Sequence, residues 1–198
     1  MAVNSSKIII GVPNQSTTGA VAFAATTADM PTTATSALDT SDWTDCGYVS
    51  EAGVTITPTY STVDIKDWSR ATVRTLLDEF TGEVKFSFIQ TDYESLCAIF
   101  GSEYVTKTAA TGAAGEQLKV RLGARMAASK AWCFSMKDGD ARVRIVLPNA
   151  QPVLDGDLVF VASEPITWNL LLKCSADANG DAIVILTDDG QTTTTTGA

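Results

Sequence analysis

The sequence predicts a β-rich α+β domain: sheets packed on one another, with a single helix closing an edge or an end. Three observations lead there. Short segments alternate apolar and polar side chains, Val84-Lys85-Phe86-Ser87-Phe88 most clearly. Asp138-Gly139 stands between two such segments as a hairpin signal, because glycine readily takes the positive φ of tight turns. One segment alone, Thr91 to Gly101, carries the periodicity and the end signals of a helix.

Residues 16–42 come first. They are rich in Thr, Ala and Ser, contain Pro31 and lack helical or strand periodicity. A stretch that long is no routine connection and reads as an arm or a long functional loop. Gly53-Val54-Thr55-Ile56-Thr57 alternates, and Pro58 limits its use as a central strand. Val84 to Phe88 follows, with Val84, Phe86 and Phe88 on one face. In the helix, Thr91 as N-cap and Glu94 three residues on make a capping box. Tyr93, Leu96, Cys97 and Phe100 form one core-facing stripe, and Gly101 suits the position just past the end.

Residues 102–115, rich in Ala, Gly and Thr, read as a second long loop. Further strands are expected at Leu118–Leu122, Trp132–Met136, Arg142–Leu147, Leu158–Val161, Ile166–Leu172 and Ile183–Leu186. The chain is expected to form one domain over residues 1–187, with a disordered Thr-rich tail from 188 to 198.

Composition narrows the function. A hydrophobic fraction of 45% over 198 residues is that of a globular domain with its own core. No segment approaches the length needed to cross a bilayer, and no secretory signal is read at the N-terminus. There is no histidine, which excludes the hydrolase triads and dyads built on it, though not lysine or carboxylate mechanisms. Cys46, Cys97, Cys133 and Cys174 make no C-x-x-C pair and are expected to be partly buried thiols in a reducing compartment. No cofactor or metal is expected.

Net charge is −9, unevenly spread. Residues 1–60 balance to −4 and residues 145–198 to −6, whereas residues 61–144 carry 12 basic and 11 acidic groups. Lys119 with Arg121, and Arg142 with Arg144, share strand faces and are expected to pair with carboxylates on a solvated or intersubunit face. No aromatic groups interleave with them as in a single-strand binder. Asp177, Asn179, Asp181 and Asp188 have the spacing of calcium-loop ligands. Ala182 replaces the loop glycine, however, and a turn between strands is the expected reading.

The block from Gly47 to Gly101 resembles the major tail (tail tube) protein of long-tailed bacteriophages. An aromatic precedes Gly47-Tyr48-Val49-Ser50, and Glu51-Ala52-Gly53-Val54-Thr55 follows. Then come the excursion Asp64-Ile65-Lys66-Asp67-Trp68, Val73-Arg74, the Val84–Phe88 strand and the helix closed by Gly101. The resemblance implies a β-sandwich or partly open barrel flanked by one α-helix, with long loop and arm extensions. It implies rings, usually hexameric, stacked into a tube through which double-stranded DNA passes without specific binding.

The resemblance further assigns Thr57–Arg70 to a stacking loop and Ala20–Asp42 to an arm reaching neighbours. Candidate contacts between subunits or rings are Tyr60, Asp64, Asp67, Trp68 and Arg70. It implies self-association, tape-measure and tail terminator or tip proteins as partners, no membrane insertion, no enzymatic activity, and residence in the virion tail after assembly in the host cytoplasm. A tube of a tail-derived injection or secretion machine shares the same features. A calcium-dependent β-sandwich binding module, through Asp177 to Asp188, is a further alternative.

Overall fold

The computed structural model describes residues 4, 7–14 and 20–192. Among the described residues it contains ten strands and one helix. The strands are β1 (Val21–Ala24), β2 (Thr44–Asp45), β3 (Thr55–Lys66) and β4 (Thr72–Phe88), then after α1 (Tyr93–Phe100) β5 (Val105–Thr108), β6 (Gln117–Val120), β7 (Lys130–Asp138), β8 (Ala141–Leu154), β9 (Trp168–Cys174) and β10 (Val184–Asp188). No helix among them is long and apolar enough to cross a membrane. Of the tail expected from 188 to 198, residues 193–198 lie outside the described residues, and Asp188 ends β10. Residues 16–19 of the expected arm also lie outside them.

The large sheet runs β2-β1-β7-β8-β9-β4-β3, with β10 also on β8. β8 makes it a sandwich rather than a closed barrel. Its first half, Ala141–Leu147, pairs with β7, and Arg142–Val146 also pairs with β10. Its second half, Ala150–Leu154, pairs with β9. One strand therefore serves two layers, whose inner faces meet. Phe86 of β4 lies edge-on to Phe134 of β7, with ring centroids 5.1 Å apart, and to Trp132 at 5.9 Å. Val84, Phe88, Leu147, Leu170 and Leu172 complete this centre, all essentially without solvent contact.

The helix closes one end of the sandwich. Phe100 meets the Trp168 ring edge-on at 5.9 Å, and Leu96 and Ile99 are buried beside it. Its N-cap is Asp92 rather than Thr91: the Asp92 carboxylate accepts from Ser95 N at 2.9 Å. The expected capping box is thus displaced by one residue, which leaves Glu94 in the first turn without a reciprocal role. Thr91 instead accepts from Trp168 Nε1 at 3.0 Å. At the other end Gly101, with φ 89°, donates its N–H to the Cys97 carbonyl. Lys130 reaches the Cys97 and Ala98 carbonyls from β7 and sits over the Phe23 ring, and burial lowers its pKa.

Two expected loops contain strands. β1 lies inside the expected arm and β5 inside the expected 102–115 loop. β1 escapes alternation because both of its faces are covered. Val21 and Phe23 face the main core, while Ala22 and Ala24 join Trp43, Ala131, Cys133 and Val146 in a second cluster on the outer face. Ala28, Met30 and Leu38 of the 25–42 segment pack against that cluster. The reverse correction applies to Leu158–Val161, which belongs to no strand and lies within the β8–β9 connection. Gly139 has φ 58° in the two-residue turn between β7 and β8, as expected.

Arg144 corrects the expected carboxylate pairing of the basic faces. It is buried, and its guanidinium donates to the Thr33 and Ser36 carbonyls and the Ser135 hydroxyl. Arg142 donates to the Gly139 and Ala141 carbonyls, and Arg121 to the Glu103 carbonyl. All four cysteines are free thiols; three are buried and Cys174 is half-buried. Asp177 caps a turn, accepting from the Asn179 and Asp181 amides at 2.8 and 2.9 Å.

Candidate assembly surface

β3 and β4 pair from Thr55↔Lys85 to Lys66↔Thr72, but β9 supports β4 only over Gly82–Phe88. The remainder, from about Thr59 outward, leaves the sandwich as a free two-stranded ribbon. Its composition suits a strand, with Thr, Tyr, Val and Ile recurring along β3. Nearly every residue of both strands in this portion is exposed. An isolated hairpin is marginal in water, so local contacts must hold this one. Tyr60 packs on Phe80 across the strands, with ring centroids 5.0 Å apart. Pairing irregularities at Ser61/Thr62 and Ile65/Lys66 add local twist.

The tip is built by Asp67. Its carboxylate accepts from the Ser69 hydroxyl at 2.6 Å and from the Ala71 amide at 2.9 Å. Its backbone N–H donates to the Ala71 carbonyl, and its carbonyl accepts from Arg70 N. The bonds to its carboxylate, the Ser69 hydroxyl first and then the Ala71 amide, hold the Asp67 carboxyl below the ordinary carboxylate range. Arg70 completes the turn with φ 67°, a conformation that favours glycine. Asp64 accepts from Thr75 Oγ1 at 2.7 Å and from Thr72 Oγ1 at 3.4 Å, tying the strands just below the tip.

The structure thus brings Asp64, Asp67, Trp68 and Arg70 together at the distal end, with Tyr60 nearer the base. Trp68 is fully exposed, which excludes its packing as a core residue beneath its own loop. Apolar residues beyond the expected set join it: Val63, Ile65, Val73, Leu76 and Leu77 are all exposed. Val63 pairs directly with Leu76, and Ile65, two residues on, shares their face. The alternation Val63-Asp64-Ile65 was the available signal for these residues. The distal half of β4 has none, because no core lies beneath either face.

Chemically, this element offers contact area and backbone groups. The register puts Val63, Ile65 and Leu76 on one face of the ribbon and Val73 and Leu77 on the other, so apolar side chains are left uncovered on both faces. β3 is the last strand of the large sheet, so its outer N–H and C=O groups are also available for pairing.

No curated protein matches the chain. A family model described as phage tail tube protein matches residues 1–196, nearly the whole length. A sandwich extended by a bare hairpin suits a subunit built to assemble, and with that match over nearly the full length the chain belongs to the phage tail tube protein family, as a structural component of the virion tail.

Proposed function

We propose that copies of this chain close into rings, hexameric by family resemblance, that the rings stack into the tail tube, and that double-stranded DNA passes along the tube without specific binding. The observation that carries this reading is the β3–β4 ribbon. It exposes Trp68, Val63, Val73 and Leu77 to water and has no core of its own to bury them in. In a stacked assembly a neighbouring copy covers that surface, and Tyr60, Asp64, Asp67, Trp68 and Arg70 supply contacts between subunits or rings. Head-to-tail contacts of this kind close into a ring when the rotation closes and form a filament along the stacking axis.

The net charge of −9 supports the conduit. DNA is densely anionic, so an acidic wall repels it and lets it slide. The role is structural and not enzymatic. Tape-measure and tail terminator or tip proteins are the partners at the inside and the ends of the tube, and assembly takes place in the host cytoplasm.

Negative-stain microscopy of the purified chain, with and without its hairpin tip, tests the reading. The full chain forms rings or tubes, and the Trp68→Ala variant forms far fewer at an unchanged melting temperature. A full chain that stays monomeric at every concentration, even with tail-assembly partners, overturns it.

A further inference from the structure

If the ribbon is an assembly element, as proposed above, it needs a surface to dock on, and one lies at the other end of the same sheet. β4 runs from the hairpin tip at Thr72 to Phe88, 17 residues, or roughly 55 Å at the rise of an extended strand. At its far end Phe88 pairs with Trp168, and Leu154 of β8 pairs with Leu170. The 155–167 connection between β8 and β9 therefore covers the pole opposite the tip.

That connection carries Leu158-Val159-Phe160-Val161, a strand composition that pairs with no strand. Leu158 packs against the core. Val159, Phe160 and Val161 point outward, at 59%, 65% and 50% exposure. Three bulky apolar side chains in succession, anchored by a fourth, form a platform rather than a scatter of surface residues.

Charge distinguishes the two poles. The tip holds Lys66, Arg70 and Arg74 against Asp64 and Asp67. Both carboxylates are engaged by hydroxyls of the ribbon itself, and Asp67 by the Ala71 amide as well. The three cationic side chains have no hydrogen-bond or ion-pair partner among the described residues. Arg70 moreover occupies a backbone conformation where glycine would be easier, so the turn alone does not call for arginine. The opposite connection holds Asp155, Asp157 and Glu164 and no cation. Lys85 pairs with Asp155 at 2.9 Å, while Asp157 and Glu164 are exposed and unpaired among the described residues.

We infer that the 155–167 connection is the acceptor for the hairpin tip of a second copy of this chain: Val159–Val161 receive the apolar tip, and Asp157 and Glu164 pair with its arginines and lysine. The two surfaces lie at opposite poles, so each copy offers one donor and one acceptor, and the contact repeats without limit along one axis. Placing the charges at the rim of an apolar contact sets orientation and excludes like-to-like docking of two tips.

Charge reversal tests the assignment, read by sedimentation velocity and negative-stain microscopy. Melting temperatures confirm that each variant folds. Arg70→Glu with Arg74→Glu, and separately Asp157→Lys with Glu164→Lys, each raise the concentration needed for assembly by about tenfold or more. Mixing the two single-pole variants restores long assemblies of alternating copies, since the reversed tip of one matches the reversed acceptor of the other and the two unmodified poles match as well. All four changes in one chain restore long assemblies, because the reversed poles again match. If the acidic-pole variant assembles like the unmodified chain while the tip variant does not, the acceptor lies elsewhere and this inference falls, with the hairpin reading intact. If the tip variant also assembles normally, the hairpin reading falls as well.

Discussion

The guanidinium of Arg144 donates to the backbone carbonyl of Ser36 at 2.8 Å, joining β8 to a segment more than a hundred residues earlier in the chain. It also reaches the Thr33 carbonyl at 3.1 Å, and Trp43 Nε1 reaches the Asp29 carbonyl at 3.2 Å. These tethers hold the 25–42 segment over the small outer cluster. Hydrogen bonds from a charged group contribute about 1.5–3 kcal/mol, more than neutral ones. Arg144→Met should therefore lower stability by about 2–3 kcal/mol in urea titration. It should also expose residues 25–42 to thermolysin well before the sandwich is cut. Unchanged protection there would show that the apolar contacts of Met30 and Leu38 suffice.

The helix start yields a paired prediction. Asp92→Ala removes the acceptor for Ser95 N and should cost about 1 kcal/mol. Thr91→Val leaves that cap intact but strands the buried Trp168 indole N–H. It should cost about 1–3 kcal/mol and shift the Trp168 indole resonance in NMR, which Asp92→Ala should not. A shift with Asp92→Ala alone would restore Thr91 to the capping role expected from sequence.

These residues show why only part of the fold could be read from the chain. Val84–Phe88 was legible because one face is buried and the other is not, so alternation records burial directly. β1 was not, because Ala22 and Ala24 are buried on the face where a half-exposed strand would show polar groups. The distal half of β4 was hidden for the opposite reason, since neither face is buried. Leu158–Val161 has strand composition without a partner in its own subunit, and a single sequence cannot say where a partner lies. At the candidate site, the polar tip residues and Trp68 were legible through their resemblance to a family pattern. Val73, Leu76 and Leu77 emerged only once the register of β3 against β4 was known.

Alkaline pH should weaken the fold through its thiols. Burial pushes Cys46 well above its ordinary range, raises Cys133 despite the nearby Arg144, and pushes Cys174 up to about 12. A raised folded pKa means that the unfolded chain releases the proton first. The stabilisation is complete below the unfolded thiol value, about 8.5, and is lost as pH rises toward the folded values. The ceiling is about 1.4 kcal/mol per pH unit for each thiol in that window, and half-exposed Cys174 contributes less because solvent screens it. Urea midpoints at intervals from pH 8 to pH 11 should fall, and Cys46→Ala should fall less steeply, whatever its starting stability. Equal slopes would show that the thiols do not control the alkaline limit.

Acid should act on the hairpin tip before it acts on the sandwich. The folded Asp67 carboxyl lies below its ordinary value because the Ser69 hydroxyl and Ala71 amide bond its ionised form. The sign follows from that direction: the turn's stabilisation is present above the unfolded value, about 3.9, and is lost as pH falls through the lower folded value. The Ala71 amide resonance should therefore move in an NMR titration with a midpoint below 3.9, while core amides such as that of Phe86 stay fixed. Asp67→Asn should remove the transition and leave the core signals where they are. A midpoint at or above the unfolded value would mean that the Asp67 turn is open in solution, and that the tip takes its shape only against a neighbour.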